Sequence, residues 1–215
     1  MNTPVLIIET ISFLASGTLF FQVSTPTFLR YFFVFLLLTI VVESSVLVKV
    51  GINVILLYNF FSAFEFVFYL FILMNIIQNP RIKKAILHIL WIYPVSVVVN
   101  VFLFQVNVFH SITYTIGCLL TVASCIYYFL EIFRKPGSIN LLREPAFWLC
   151  TGLLFYYTCS FLLLGLYNYI QGLPKVIISH IYTILTIMNF LLYILFSIAF
   201  LCRIKIRRRM LDVKG

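Results

Sequence analysis

The stretch VILLYNFFSAFEFVFYLFILMNIIQNPRIKK, residues 54–84, decides the fold. Its first part stays apolar for longer than the roughly 20 residues that a helix needs to cross the hydrocarbon of a bilayer. Glu65 is its only charge before Gln78-Asn79-Pro80, and Arg81, Lys83 and Lys84 follow at once. Asn and Pro at such a junction end one helix and permit another. The run shows no alternation of period 2, so a barrel strand is excluded. In lipid a backbone must satisfy its own polar groups, which leaves the helix.

The rest of the chain repeats this pattern. Apolar runs fall at about 4–22, 28–50, 54–78, 85–106, 109–133, 147–170 and 176–202, each close to the roughly 20 residues of a crossing. Between them stand Ser24-Thr25-Pro26, Gly51-Ile52-Asn53, Asn107, Lys135-Pro136-Gly137 and Gln171-Gly172-Leu173-Pro174. Of 215 residues, 63% are hydrophobic and only 10% charged. Soluble domains carry about 25% charged residues, so this chain has too few to coat a water-facing surface. The expected architecture is an all-α bundle of seven transmembrane helices, one domain over 1–215, ending in a basic cytoplasmic tail over 203–215. Glu9 interrupts the first run and no base precedes it, which favours a retained span over a cleaved leader.

Positive charge gives the orientation. With the N-terminus outside, the inside segments hold Arg30, Arg81, Lys83, Lys84, Arg134, Lys135, Arg143, Arg203, Lys205, Arg207, Arg208, Arg209 and Lys214, thirteen of the fifteen bases. The outside keeps only Lys49 and Lys175. Basic residues resist translocation, so N-out and C-in follows. The net charge of +9 therefore reports topology. Short loops offer no basic groove, and nucleic acid is not an expected partner.

The chemistry should lie with acids inside the membrane. A charge at a helix centre costs about 2.5–3.5 kcal/mol on insertion scales, so such groups turn towards the bundle interior. Glu9, Glu43 and Glu65 lie within the first three runs. At 1.5 Å per residue they sit roughly 8, 10 and 16 Å below the outer ends of their spans. All three point to one polar pocket on the outer side. Tyr58, Ser62, Glu65 and Tyr69 follow i, i+4, i+7, i+11 and extend it as a stripe. Asn100 and His180 lie in outer halves and join the candidate ligand- or ion-binding set. Glu9 with Ser12 and Ser16, and Tyr182, Thr186, Asn189, Tyr193 and Ser197, form further hydroxyl stripes, which on membrane helices also serve packing.

Catalytic patterns are lacking. His88 reads as inside while His110 and His180 read as outside, so no metal site is expected. The five cysteines lie in or at the end of apolar runs with no CxxC pair, and no cofactor is expected. A carboxylate-only hydrolase through Glu43 and Glu65 is the enzymatic alternative. The cluster Arg203, Lys205, Arg207, Arg208 and Arg209 fits anionic lipid, at about 1 kcal/mol per base, or a cytoplasmic partner.

Two segments carry a resemblance. Arg143-Glu144-Pro145-Ala146-Phe147-Trp148, followed by Gly152-Leu153-Leu154-Phe155-Tyr156-Tyr157, resembles small, largely uncharacterised bacterial seven-span membrane proteins. The stretch from Tyr58-Asn59 to Glu65-Phe66 and Phe68-Tyr69 is similar to the same group. Some relatives are associated with signalling kinases. The resemblance implies a multi-pass protein of the bacterial inner membrane, a sensory or accessory role and a cytoplasmic signalling partner. A small transporter or proton-coupled carrier is the alternative, followed by an intramembrane lipid enzyme and a pore-forming effector.

Overall fold

A computed structural model describes residues 3–20, 27–48, 53–106, 108–134, 141–164, 172 and 174–212. The junctions expected at Ser24-Thr25-Pro26, Gly51-Ile52, Asn107, Lys135-Pro136-Gly137, Gln171 and Leu173 lie outside the described residues. Seven α-helices are described: α1 (Thr3–Phe20), α2 (Thr27–Leu47), α3 (Val54–Ile76), α4 (Pro80–Val99), α5 (Ser111–Phe133), α6 (Pro145–Leu164) and α7 (Lys175–Asp212). Among the described residues there is no strand. Six helices are long and apolar enough to cross a membrane, and α1 contains a shorter apolar segment, Val5–Thr18.

Helix contacts arrange the chain as a ring. α1 packs on α2 and on α7, α2 on α3, α3 on α5, α5 on α6, and α6 on α7. α4 packs mainly on α3 and contributes few buried residues. Trp91 on α4 is 76% exposed, as suits a lipid-facing surface.

Aromatic rings fill the interior. Phe32 of α2 meets Phe68 of α3 at 5.1 Å and Phe196 of α7 at 5.2 Å between centroids. Phe66 of α3 meets Tyr114 of α5 at 5.2 Å and Tyr157 of α6 at 5.1 Å. In lipid, helices associate through packing and interhelical hydrogen bonds, so interlocked rings and small residues set the contacts. Ser12 of α1 shows the second device: its hydroxyl lies 2.8 Å from Ser197 Oγ and donates to the Tyr193 carbonyl at 2.8 Å. The hydroxyl stripe of the last helix is, at this point, a packing contact.

Three element boundaries depart from the sequence reading. α4 starts at Pro80 rather than near 85, so Arg81, Lys83 and Lys84 are helical. The Asn79 side chain accepts from the Arg81 amide at 2.9 Å, and Pro at the first helical position has no N–H to leave unpaired. Glu131 at the end of α5 completes the junction by accepting the Gln78 and Asn79 amides at 2.8 and 2.9 Å. Asn79 Nδ2 also donates to Tyr127 Oη at 2.7 Å. The α3–α4 hairpin is thus tied to α5 by a carboxylate and a phenol. Glu131→Ala should cost on the order of 1 kcal/mol and speed hydrogen exchange at the Gln78 and Asn79 amides. Unchanged exchange there would refute this role of the carboxylate.

The second departure follows α4. Pro94 lies inside the helix without ending it, and the chain passes into a π-helical turn, Asn100–Phe104. The Gln105 amide donates to the Asn100 carbonyl at 2.7 Å, the i+5 bond of that geometry. α5 then begins at Ser111 rather than at 109, which leaves His110 in the connection between spans. Third, α7 runs on to Asp212, so the basic segment expected as a tail is helical.

Candidate functional site

Three neighbouring helices each contribute one acid to the interior. Glu9 on α1 is buried at 2% exposure. Tyr193 of α7 is its side-chain hydrogen-bonding neighbour, while its Oε2 is buried with no partner among the described residues. Glu43 on α2 is partly buried and accepts from Tyr58 Oη of α3 at 3.4 Å. Glu65 on α3 accepts from Tyr69 Oη, one turn on, at 3.2 Å. Tyr157 of α6 approaches the same carboxyl, yet its Oη is buried without a well-formed hydrogen bond.

These acids act on one another. Glu9 feels both Glu43 and Glu65, and Glu65 feels Glu43. Carboxylates held close in a low dielectric require a compensating proton or positive charge. Among the described residues, no group of three or more His, Cys, Asp or Glu is placed to hold a metal ion. The acids therefore share a field without sharing one coordination centre. Aromatic rings occupy the space beside them: Tyr69 has Phe35, Tyr157 and Phe196 at 5.2, 5.7 and 6.2 Å.

Ser62 and Asn100, read from sequence into the same pocket, belong to a second network nearer the connection before α5. Ser62 Oγ lies 2.7 Å from His110 Nε2, and His110 Nδ1 lies 2.7 Å from Thr113 Oγ1. Asn100 Nδ2 donates to Thr113 Oγ1 at 3.1 Å and to Gln105 Oε1 at 2.7 Å. Asn59 accepts the His110 amide at 3.1 Å and donates to the Val108 carbonyl at 2.9 Å. Ser62 also donates to the Tyr58 carbonyl at 2.7 Å. Its single proton is thereby used, so His110 Nε2–H donates to Ser62 and Nδ1 accepts from Thr113. Each member finds partners, and the network clamps α3, the π-turn and the start of α5 together. A fully satisfied buried network rigidifies and specifies one arrangement.

The imidazole of His110 is fully buried, and burial pushes its pKa down to about 4. It is neutral in the network at neutral pH. His180 is exposed near the start of α7 and forms no hydrogen bond to either cluster among the described residues. The side chains of Arg203, Lys205, Arg207, Arg208 and Arg209 lie outside the described residues.

Asn59, Thr113 and Tyr157 stand outside the site read from the sequence. Asn59 and Ser62, three apart, present one helical face to His110 and Thr113, also three apart. That paired spacing is a local signal. The approach of Tyr157 and Tyr193 to the acids carries none, because it depends on the rotation of α6 and α7. No family model, curated protein or solved structure matches the chain.

Proposed function

We propose that this apolar helical bundle is a non-enzymatic integral membrane protein of sensory or accessory kind, with its interior carboxylates exchanging a proton. In this reading all seven helices cross the membrane, with the N-terminus outside and the C-terminus in the cytoplasm. Kinship with bacterial seven-span proteins of the inner membrane belongs to the same proposal, as does a cytoplasmic signalling partner at the basic end of α7.

The observation that carries the reading is Glu9: a buried carboxyl oxygen with no partner among the described residues, in the field of two more acids. A proton removes the charge of such a carboxyl without needing a chamber. An organic ligand needs space, and rings crowd the neighbourhood of Glu65 and Tyr69. Glu43 and Tyr58, both partly exposed, mark the route by which a proton reaches the deeper acids from the outer side.

The test is infrared difference spectroscopy on the reconstituted protein after a pH jump. Carboxyl bands should appear in the wild type and weaken in Glu9→Gln and Glu65→Gln while circular dichroism is retained. Spectra unchanged by both substitutions would overturn the reading. A carrier is the second reading, favoured by that same route from Glu43 inward. It demands proton or substrate flux in liposomes without any partner. A sensor demands none, and Glu65→Gln should then silence a partner-dependent response without loss of expression.

A further inference from the structure

At the end of the bundle formed by the α3–α4 hairpin, the last turn of α5 and the start of α6 lies a pocket of about 280 Å³. Its polar lining comprises Asn75, Gln78, Tyr128, Glu131 and Glu144. Phe28 and Ile132 give it an apolar wall. This volume is near the lower end of small-molecule sites, about 300–1,000 Å³, and the mixture of apolar wall and few polar groups is the usual one. The proton site within the membrane uses none of these residues.

Two features indicate what the pocket takes. Glu131 is already held rigid by two backbone amides, so its carboxylate has a fixed position. Glu144 is exposed, and its carboxylate makes no hydrogen bond or ion pair among the described residues. Independently of these acids, Tyr128 is 5% exposed, lines the pocket and has a buried Oη with no partner among the described residues. Both acids lie within electrostatic reach of that phenol. Buried polar atoms are normally paired, and an orphan beside a cavity asks for an occupant.

We infer that this pocket binds a primary ammonium group, held between Glu144 and Glu131, with the apolar part of its bearer against Phe28 and Ile132. An ammonium group supplies three donors and no acceptor, which suits two carboxylates, the amide oxygens of Asn75 and Gln78, and the phenol oxygen. Charge-assisted bonds of this kind are the stronger ones. A free amine and the ethanolamine headgroup of a lipid offer the same chemistry. Arg134 and Arg143, exposed and close in sequence to the two acids, would meet the phosphate of such a headgroup.

The experiment has a soluble arm and a lipid arm, both on the full chain. In detergent, phenethylamine should raise the melting temperature saturably while 2-phenylethanol, of the same shape but neutral, does not. In nanodiscs, phosphatidylethanolamine doped into phosphatidylcholine should raise it in the same way. A response in the first arm alone assigns a free amine, and one in the second alone assigns the headgroup. Glu144→Gln, at an exposed position, should weaken the effective arm by about tenfold or more, as loss of a charged hydrogen bond does. Tyr128→Phe should weaken it less. An equal response to 2-phenylethanol, no response in either arm, or a response indifferent to Glu144→Gln would overturn the assignment.

Discussion

Gly117→Ala is expected to destabilise the bundle by roughly 1–3 kcal/mol, the usual range for overpacking a core. The sign is diagnostic, because replacing Gly by Ala inside an unencumbered helix stabilises by roughly 0.5–1 kcal/mol. A Cβ at position 117 would stand 2.6 Å from Phe66 Cδ2 and 2.7 Å from Tyr93 Oη. Neither side chain is free to retreat. Phe66 is fully buried with Tyr93, Tyr114 and Tyr157 around its ring. Tyr93 is 2% exposed and donates to the Thr113 carbonyl at 3.2 Å. Displacing it would also disturb the helix that carries the His110 network. Thermal unfolding in detergent gives the measurement, with Gly17→Ala as the control. At Gly17 the nearest neighbour of a new Cβ is Phe33 at 3.3 Å, on a partly buried face. Gly117→Leu should abolish recovery of folded protein, and Phe66→Leu should restore part of what Gly117→Ala loses. A melting temperature for Gly117→Ala equal to or above the wild type would show that α3, α4 and α5 do not pack as described.

The close approach at Gly117 could not be read from the sequence. The run Gly117-Cys118-Leu119-Leu120 looks like any other part of an apolar helix. What was legible was the solvent the helices face. The same stretch of residues 54–84 gives both the span of α3 and the break at Asn79-Pro80. Three bases close together look like a loop, so the sequence alone sets the start of α4 too late. The cap that makes them helical comes partly from Glu131, far along the chain.

The acids show the same limit at finer grain. Counting from the ends of their runs gives an expectation of roughly 8, 10 and 16 Å of depth; what the structure brings together is the field that Glu9, Glu43 and Glu65 share. Rotation about each helix axis could not be counted. A helix apolar on all sides carries no amphipathic signal to say which face turns inward. The stripe of Tyr58, Ser62, Glu65 and Tyr69 is about 60° wide at 3.6 residues per turn. It therefore straddles two neighbours. Tyr58 reaches Glu43 on α2, whereas Ser62 reaches His110 ahead of α5. One stripe in sequence became two sites in the fold. His180 fell in neither, since its helix begins with exposed turns.

The second large effect concerns acid. His110 titrates near 6.5 in the unfolded chain and near 4 in the folded one, because burial disfavours the imidazolium. Between those values the unfolded chain binds a proton that the folded chain refuses. Stability from this group is therefore complete above pH 6.5 and falls as pH drops towards 4, by about 3 kcal/mol in total. The partners sharpen the expectation. Asn59, Ser62 and Thr113 surround the ring and none carries a charge, so nothing on α3 or α5 in that network can steady an imidazolium. The network takes up the extra proton only by moving another. Protonation makes Nδ1 a donor towards Thr113, which must then turn its own proton from Nδ1 to the His110 carbonyl, 3.3 Å away. Denaturant or thermal unfolding between pH 7 and pH 4 should show the loss. His110→Gln should begin less stable at pH 7 and lose less stability over the same interval, so that the two curves converge as pH falls. Parallel curves would mean that the clamp ahead of α5 is not the acid-sensitive joint of the bundle.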